Sequence, residues 1–392
     1  MSTFSQLGLH PSLLAALSDL GFTEATPIQT QAIPHGLTGR DVLASAKTGS
    51  GKTAAFGLPI LQSLIDQPRG KTRALVLVPT RELAAQVAEH ITQLAKHTNI
   101  TVAGIFGGVG FGSQIKALKR GTDIIVATPG RLTDHMRNGG VKLNSIQTVV
   151  LDEADRMLDM GFLPAVRRIL ETLPAQRQTL FFSATMPHAV SALVRDMLHD
   201  PAKVELAATD GHVETLNQRL YSVPTERKTE LLIELLKDPN IFTAITFTRT
   251  KSRANRLAAQ LQKANIPADL MHGDRTQSQR TRALDNLKKG KCRVLVATDL
   301  AARGIDVAAL GHVVNFDVPL APEDYVHRIG RTARAQASGD ALTFVSADEE
   351  SLIRKIEYTI GKKIDRAVNP LFPDAKPMAP KPMKVYSARR RR

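Results

Sequence analysis

The stretch Ala44-Ser-Ala-Lys-Thr-Gly-Ser-Gly-Lys-Thr53 decides how the chain is read. It leaves an apolar run, Val42 to Ala44, that reads as a strand end, and enters Ala54-Ala55-Phe56, the first turn of a helix. A glycine-rich turn in that position lets backbone N–H groups converge on an anion at the positive end of the helix. Ala46, Lys47, Thr48, Gly49, Ser50 and Gly51 then form a phosphate cradle. Lys52 can set its ammonium against the outer phosphates of a nucleoside triphosphate, and the Thr53 hydroxyl can ligate the accompanying Mg²⁺. The pattern G-x-x-x-x-G-K-[ST] is met except at Ala46, which takes the place of the first glycine. A flexible Gly/Ser turn with an unrelated lysine is the plain alternative, and the order strand, loop, helix argues against it.

Working outward, short β-rich runs alternate with helix-like stretches at 42–46, 73–79, 101–107, 123–128, 148–152 and 178–183, and the alternation repeats at 218–223, 244–248, 270–272, 293–298, 312–316 and 341–346. Several runs are continuously apolar, as strands covered on both faces must be. The expectation is an α/β protein with two parallel-sheet domains in tandem and a central cleft, residues 1–207 and 217–368, joined by a small polar linker at 208–216. The segment 369–392 carries five prolines and ends in four arginines, and reads as a disordered basic tail, either a phosphate-binding arm or a solubilising extension.

The 392 residues favour two domains over one. A single cysteine, Cys292, excludes internal disulfides and Cys-based zinc sites. Without an N-terminal apolar leader or a long apolar run, a cytoplasmic protein with no membrane partner is expected. With 52 Lys/Arg against 37 Asp/Glu the net charge is +15, which points to a polyanionic partner. Residues 369–392 supply +6 of this, seven Lys/Arg against one Asp, and the other +9 is read as spread over the folded body.

About a hundred residues after the cradle, Thr148-Val-Val-Leu-Asp-Glu-Ala-Asp155 runs an apolar strand into three acids. Ligands of open α/β sheets sit at strand C-terminal ends. Asp152 is therefore placed to hold Mg²⁺, and Glu153 to orient or deprotonate the water that attacks the γ-phosphate. An isolated acidic turn is the alternative.

Asp152-Glu-Ala-Asp155 together with the cradle resembles the DEAD-box family of ATP-dependent RNA helicases, and the similarity runs from about Phe4 to Val345. The resemblance, to the short-tailed bacterial type, implies two RecA-like domains, ATP and Mg²⁺ as cofactors and RNA as partner. Through Gly21-Phe-Thr-Glu-Ala-Thr-Pro-Ile-Gln29 it implies that Gln29 reads the adenine edge while Phe4 or Phe22 packs on its face; an amide offers donor and acceptor together. It implies RNA contacts at Arg81, Gly107, Gly108, Thr128 and Arg131, and at Arg249, Gly273 and Thr298. These would bond phosphates rather than bases, and with 4% aromatic residues base stacking is not the main grip. Asp155, Ser183 and Thr185 would couple the nucleotide site to strand separation. Gly304 and Asp306 would approach the ATP ribose and phosphates. On a helix Arg328, Arg331 and Arg334 share one face, with His327 beside it; the resemblance makes Arg331 and Arg334 arginine fingers for the γ-phosphate, and Arg328 and His327 coupling residues.

The implied activity is an RNA-dependent ATPase that locally and non-processively unwinds short duplexes or remodels RNA–protein complexes, as a monomer, with ribosome-assembly or RNA-decay proteins as partners. A DNA-directed helicase and an ATP-regulated RNA clamp are the rival readings.

Overall fold

The computed structural model describes residues 3–46, 49–205, 216–302, 310–332 and 339–371. The chain divides at 209/210 into two compact units. In the first, seven strands form one all-parallel sheet: β1 (Val42–Ser45), β2 (Ala74–Leu77), β3 (Val102–Ile105), β4 (Ile124–Ala127), β5 (Thr148–Leu151), β6 (Gln178–Ser183) and β7 (Ala202–Glu205), in the order β3-β4-β2-β5-β6-β1-β7. The central strands β2, β4 and β5 are buried throughout, because helices cover both faces.

The second unit repeats the plan with β8 (Leu216–Ser222), β9 (Ala244–Phe247), β10 (Ala268–Met271), β11 (Val294–Ala297), β12 (His312–Asn315), β13 (Gly339–Val345) and β14 (Asp365–Arg366), in the order β10-β11-β9-β12-β13-β8-β14. Subtracting seven from each label reproduces the first order, so the two units have one topology. All twelve expected strands are present. The two that sequence periodicity missed, β7 and β14, are the sheet edges beside β1 and β8; β7 alternates buried and exposed, and β14 has two exposed residues. The expected linker lies almost wholly outside the described residues; Leu216, its last residue, is the first of β8. Residues 372–392, most of the expected tail, lie outside as well. Among the described residues no helix is long and apolar enough to cross a membrane.

Shared topology aligns the sites. In the first unit β1 leads to a helix beginning at Lys52, and Asp152 follows β5 directly; Lys52 Nζ lies 3.4 Å from Asp152 Oδ1. In the second, β8 leads to a helix beginning at Lys228, and Asp317 lies just past β12; Lys228 Nζ lies 3.9 Å from Asp317 Oδ1. The second unit lacks the glycine-rich turn, having Pro224-Thr-Glu-Arg227 there, and the Lys228 ammonium donates to Phe316 O (2.9 Å), Phe344 O (3.1 Å) and the Glu349 carboxylate (2.5 Å). An internal carboxylate thus takes up the charge of the second unit's lysine.

Candidate nucleotide and RNA site

In the first unit β5, β6 and β1 are neighbours, so the residues after their C-terminal ends converge. The loop after β1 reaches the helix Lys52–Leu64 through Gly49 and Gly51, at φ +85° and +92°, a left-handed backbone that glycine alone adopts without strain. A Cβ at Gly51 would sit 2.5 Å from Gln29 Nε2 and 2.9 Å from Thr26 Oγ1. Thr26 and Gln29 form a capping box at the start of the helix Pro27–Leu37 and then reach across to the loop. Thr26 Oγ1 donates to Ser50 O (2.8 Å), and Gln29 Nε2 donates to Gly51 O (3.0 Å) while its Oε1 accepts the Thr26 N–H (2.8 Å). Gln29, expected at an adenine edge, therefore braces the phosphate loop. Phe4 is taken up by the core at 4% exposure, whereas Phe22 is 38% exposed and edge-on to His90, so of the two expected rings only Phe22 presents a face. Lys47 and Thr48 lie outside the described residues.

Lys52 is buried, donates to Ala46 O (3.2 Å) and pairs with Asp152. Ala46, without a glycine's freedom, contributes by this carbonyl. Burial pushes the Asp152 carboxyl above its ordinary range, and the Lys52 ammonium opposes the shift. Glu153 has a left-handed backbone at φ +52°, a strained conformation for a non-glycine residue, and its carboxylate is held by Arg156, also buried. Arg156 was not singled out from the sequence; an arginine three residues after an acid at a helix start is the signal that would have found it. Asp155 Oδ2 accepts from both Thr185 N (2.8 Å) and Thr185 Oγ1 (2.7 Å), the Asp155 N–H donates to Ser183 Oγ (3.3 Å), and Ser183 Oγ donates to Thr185 O (2.7 Å). The acids after β5 and the hydroxyls after β6 are thus one bonded unit. A buried carboxylate at a strand end with a hydroxyl one residue past the phosphate-loop lysine is a donor set that fits Mg²⁺, a hard cation held by few carboxylates and substrate phosphates.

Strands β3-β4-β2, on the other side of β5, carry the expected RNA contacts at the same sheet edge. Arg81 opens the helix after β2, and its guanidinium lies so close to Gly107 that a Cβ there would be 2.8 Å from Nη2. Gly108 is left-handed at φ +82° and Thr128 caps the helix after β4. Arg131 donates to Val109 O (3.1 Å) and lies 5.3 Å from the Phe111 ring, which stacks on His135 at 3.9 Å.

In the second unit Thr298 follows β11 and is nearly buried, and Gly273 follows β10. The Arg249 guanidinium donates to Val318 O (3.1 Å) and Glu349 Oε1 (2.9 Å), so it is already engaged, although half-exposed. The arginine stripe is corrected: the helix Pro322–Ile329 stops at its C-cap Gly330, so Arg328 and Arg331 do not share a helical face. Arg328 is buried, bidentate to Asp299 (2.5 and 2.7 Å), bonded to Asn315 Oδ1 and Asp317 O, and 5.1 Å from the Phe247 ring. It knits β9, β12 and the segment after β11 together. His327 is half-buried on the same helix and Arg331 is buried just beyond it. Gly304, Asp306 and Arg334 lie outside the described residues.

Fold and site together define an α/β protein of duplicated architecture in which one unit keeps a phosphate loop. Residues 26–193 match the model of the DEAD/DEAH box helicases, and 227–336 that of the helicase conserved C-terminal domain. The chain is 44% identical over 373 residues to the DEAD-box ATP-dependent RNA helicase CshA of Bacillus subtilis, covering 95% of this chain and 75% of that one, and 42% identical to the ATP-dependent RNA helicase CshA of Listeria monocytogenes, covering 96% and 72%. Among solved structures it is similar to S. cerevisiae Dbp5 bound to RNA and ADP BeF3, with a TM-score of 0.85 and 32% identity over 94% of this chain and 96% of that one. The helicase Mss116 bound to ssRNA and UDP-BeF follows, with a TM-score of 0.84 and 28% identity over 94% and 80%. The chain belongs to the family of DEAD-box ATP-dependent RNA helicases.

Proposed function

We propose that the protein is an RNA-dependent ATPase that opens short RNA duplexes locally, hydrolysing ATP to ADP and phosphate where its two units meet. The observation that carries this reading is the continuous bonding from the phosphate-loop lysine to the hydroxyls after β6: Lys52 on Asp152, Asp152 adjoining Glu153, and Asp155 on Ser183 and Thr185. Lys52 and the loop amides hold the β- and γ-phosphates. Glu153, fixed by Arg156, orients the attacking water and takes its proton as the new P–O bond forms and the bond to the ADP oxygen breaks. Thr53 and Asp152 would hold Mg²⁺, which supplies charge neutralisation at the phosphates when bound. Arg331, supplied by the second unit, completes the charge stabilisation, and an arginine finger is worth roughly 10³ to 10⁵ in rate.

Because the RNA-contact stretches lie on both units, RNA favours the state in which they close, and closure in turn favours ATP and RNA. A closed state shaped for one strand excludes the second. Each base-pair step costs roughly 1.4 kcal/mol by the DNA stacking scale, so only a few pairs open per event and hydrolysis serves release. Glu153→Gln tests the reading: it should bind ATP and RNA together and lose RNA-stimulated turnover, and near-parental turnover in a steady-state assay would remove Glu153 as the base.

A further inference from the structure

The surplus charge of the folded body is not spread. Residues 249–293 hold twelve Lys/Arg against three Asp/Glu, a surplus of nine, which equals what remains of +15 once the +6 of 369–392 is set aside. The rest of the chain balances. Part of this charge is used internally: Arg249 on Glu349, Lys251 on Asp274, Arg253 on Asp317, and Arg293 on Ile241 O. Six cations remain exposed, Arg256, Lys263, Arg282, Lys288, Lys289 and Lys291, and among the described residues none of the six has a carboxylate within ion-pair distance.

The fold gathers them. The helices Lys251–Lys263 and Gln277–Lys288 both pack on β10, the edge strand of the second sheet. They lie on opposite faces of the sheet, Leu257 and Leu261 of the first packing with Val294 and Val296 while Ala283 and Leu287 of the second stand apart from that cluster, and both end at the N-terminal edge of β10 and β11, where Arg293 N–H donates to Pro267 O (2.9 Å). Lys263 therefore reaches this edge from one face and Lys288, Lys289 and Lys291 from the other, at the end of the strands opposite Arg249, Gly273 and Thr298. Arg256 is exposed on the first of these helices and Arg282 on the second, one over each face of the sheet. Asp285, on the second helix, is an exposed acid that pairs with none of the six.

We propose that this β10 shoulder is a second RNA-binding surface, holding backbone phosphates of RNA that extends beyond the segment bound at the strand C-terminal edge. The chemistry selects the partner. A docking protein or a membrane surface would need several apolar anchors; no exposed large hydrophobic residue falls within 249–293, and Phe242, ahead of β9 at the same strand edge, is a single exposed ring. Phosphate binding needs only unpaired cations, and without aromatic residues the surface is blind to sequence. The inference rests on RNA being the substrate, and its test separates the two.

The combined variant Lys263→Gln, Lys288→Gln, Lys289→Gln, Lys291→Gln changes exposed side chains only. It should keep the parental turnover and half-saturation with a single strand of about ten nucleotides, a length within one binding site. With a strand about three times longer, affinity should fall at least tenfold, and the slope of log affinity against log salt should shrink by about 2 to 3, at roughly 0.7 per phosphate released. Equal loss of affinity for both lengths, or an unchanged slope with the long strand, overturns the proposal. Absence of stimulation by either strand in the parent would instead refute RNA dependence itself.

Discussion

At Gly51 the backbone φ of +92° and the closeness of Gln29 and Thr26 leave no room for a side chain. Gly51→Ala is expected to cost about 1–2 kcal/mol in stability, from left-handed strain and displacement of the Gln29 brace, and to weaken ATP binding more than tenfold. Thermal melting and nucleotide titration check both. The sequence pointed Gln29 at an adenine edge; its brace on the loop, the bond to Gly51 O, joins residues 22 apart and only the fold reveals it. His135 shows a second long-range effect. Its Nε2 lies 3.0 Å from Gln114 Oε1, and Gln114 spends its own N–H on Phe106 O, so His135 carries its proton on Nε2 and leaves Nδ1 bare, buried and unbonded. Burial, helped by Arg131, lowers its pKa below the usual 6.5 although Asp134 opposes the shift. Since the folded pKa is depressed, this contribution is fully present above the unfolded value and is lost as pH falls through the folded one. Acidification below about pH 6.5 should lower the parental melting temperature more steeply than that of His135→Gln. Parallel curves would contradict it.

Most strands declared themselves through apolar runs, the edges β3 and β10 included, and β7 and β14 did not, because β7 buries only every second residue and β14 is two exposed residues long. The helix expected through Arg334 was misjudged for a related reason. Three arginines at helical spacing look like a stripe, but Gly330 ends the helix after Ile329, and Arg328 is claimed by Asp299, Asn315 and Phe247 from other elements. Lys228 was invisible in the sequence, being one lysine among many; its place at the start of the helix after β8 becomes meaningful only beside Lys52. It ties that helix to the ends of β12 and β13 through Phe316 O, Phe344 O and Glu349. Lys228→Ala would leave the Glu349 carboxylate buried without this cation, and breaking such a pair costs about 3–5 kcal/mol. The loss should appear as a lower urea midpoint of the second unit. The double variant Lys228→Met, Glu349→Leu should recover part of it, because both charges then leave together. A double variant as unstable as the sum of the two singles would show that the pair is not coupled.

Across the whole molecule the duplicated topology is put to unequal use. Only the first unit combines a lysine and an acid with a glycine-rich loop; in the second the corresponding lysine is bonded by Glu349. One nucleotide site is therefore expected from two similar folds, and the second unit's contribution must come from other residues, of which Arg331 is the described candidate. Arg331→Ala should leave the ATP dissociation constant within a few-fold of the parent, since Lys52 and the loop remain, and should lower RNA-stimulated kcat by about 10³ or more, the scale of a supplied arginine. Because Arg331 is buried, the same substitution could act by loosening the second unit, so Arg331→Lys and the melting temperature must be read alongside. Lysine keeps the charge without the planar fork, so a true finger is not rescued by it while the fold is. Loss of melting temperature in step with kcat, restored together by lysine, would assign Arg331 to packing and leave hydrolysis to the first unit. In that event the first unit by itself should turn over ATP as fast as the full chain.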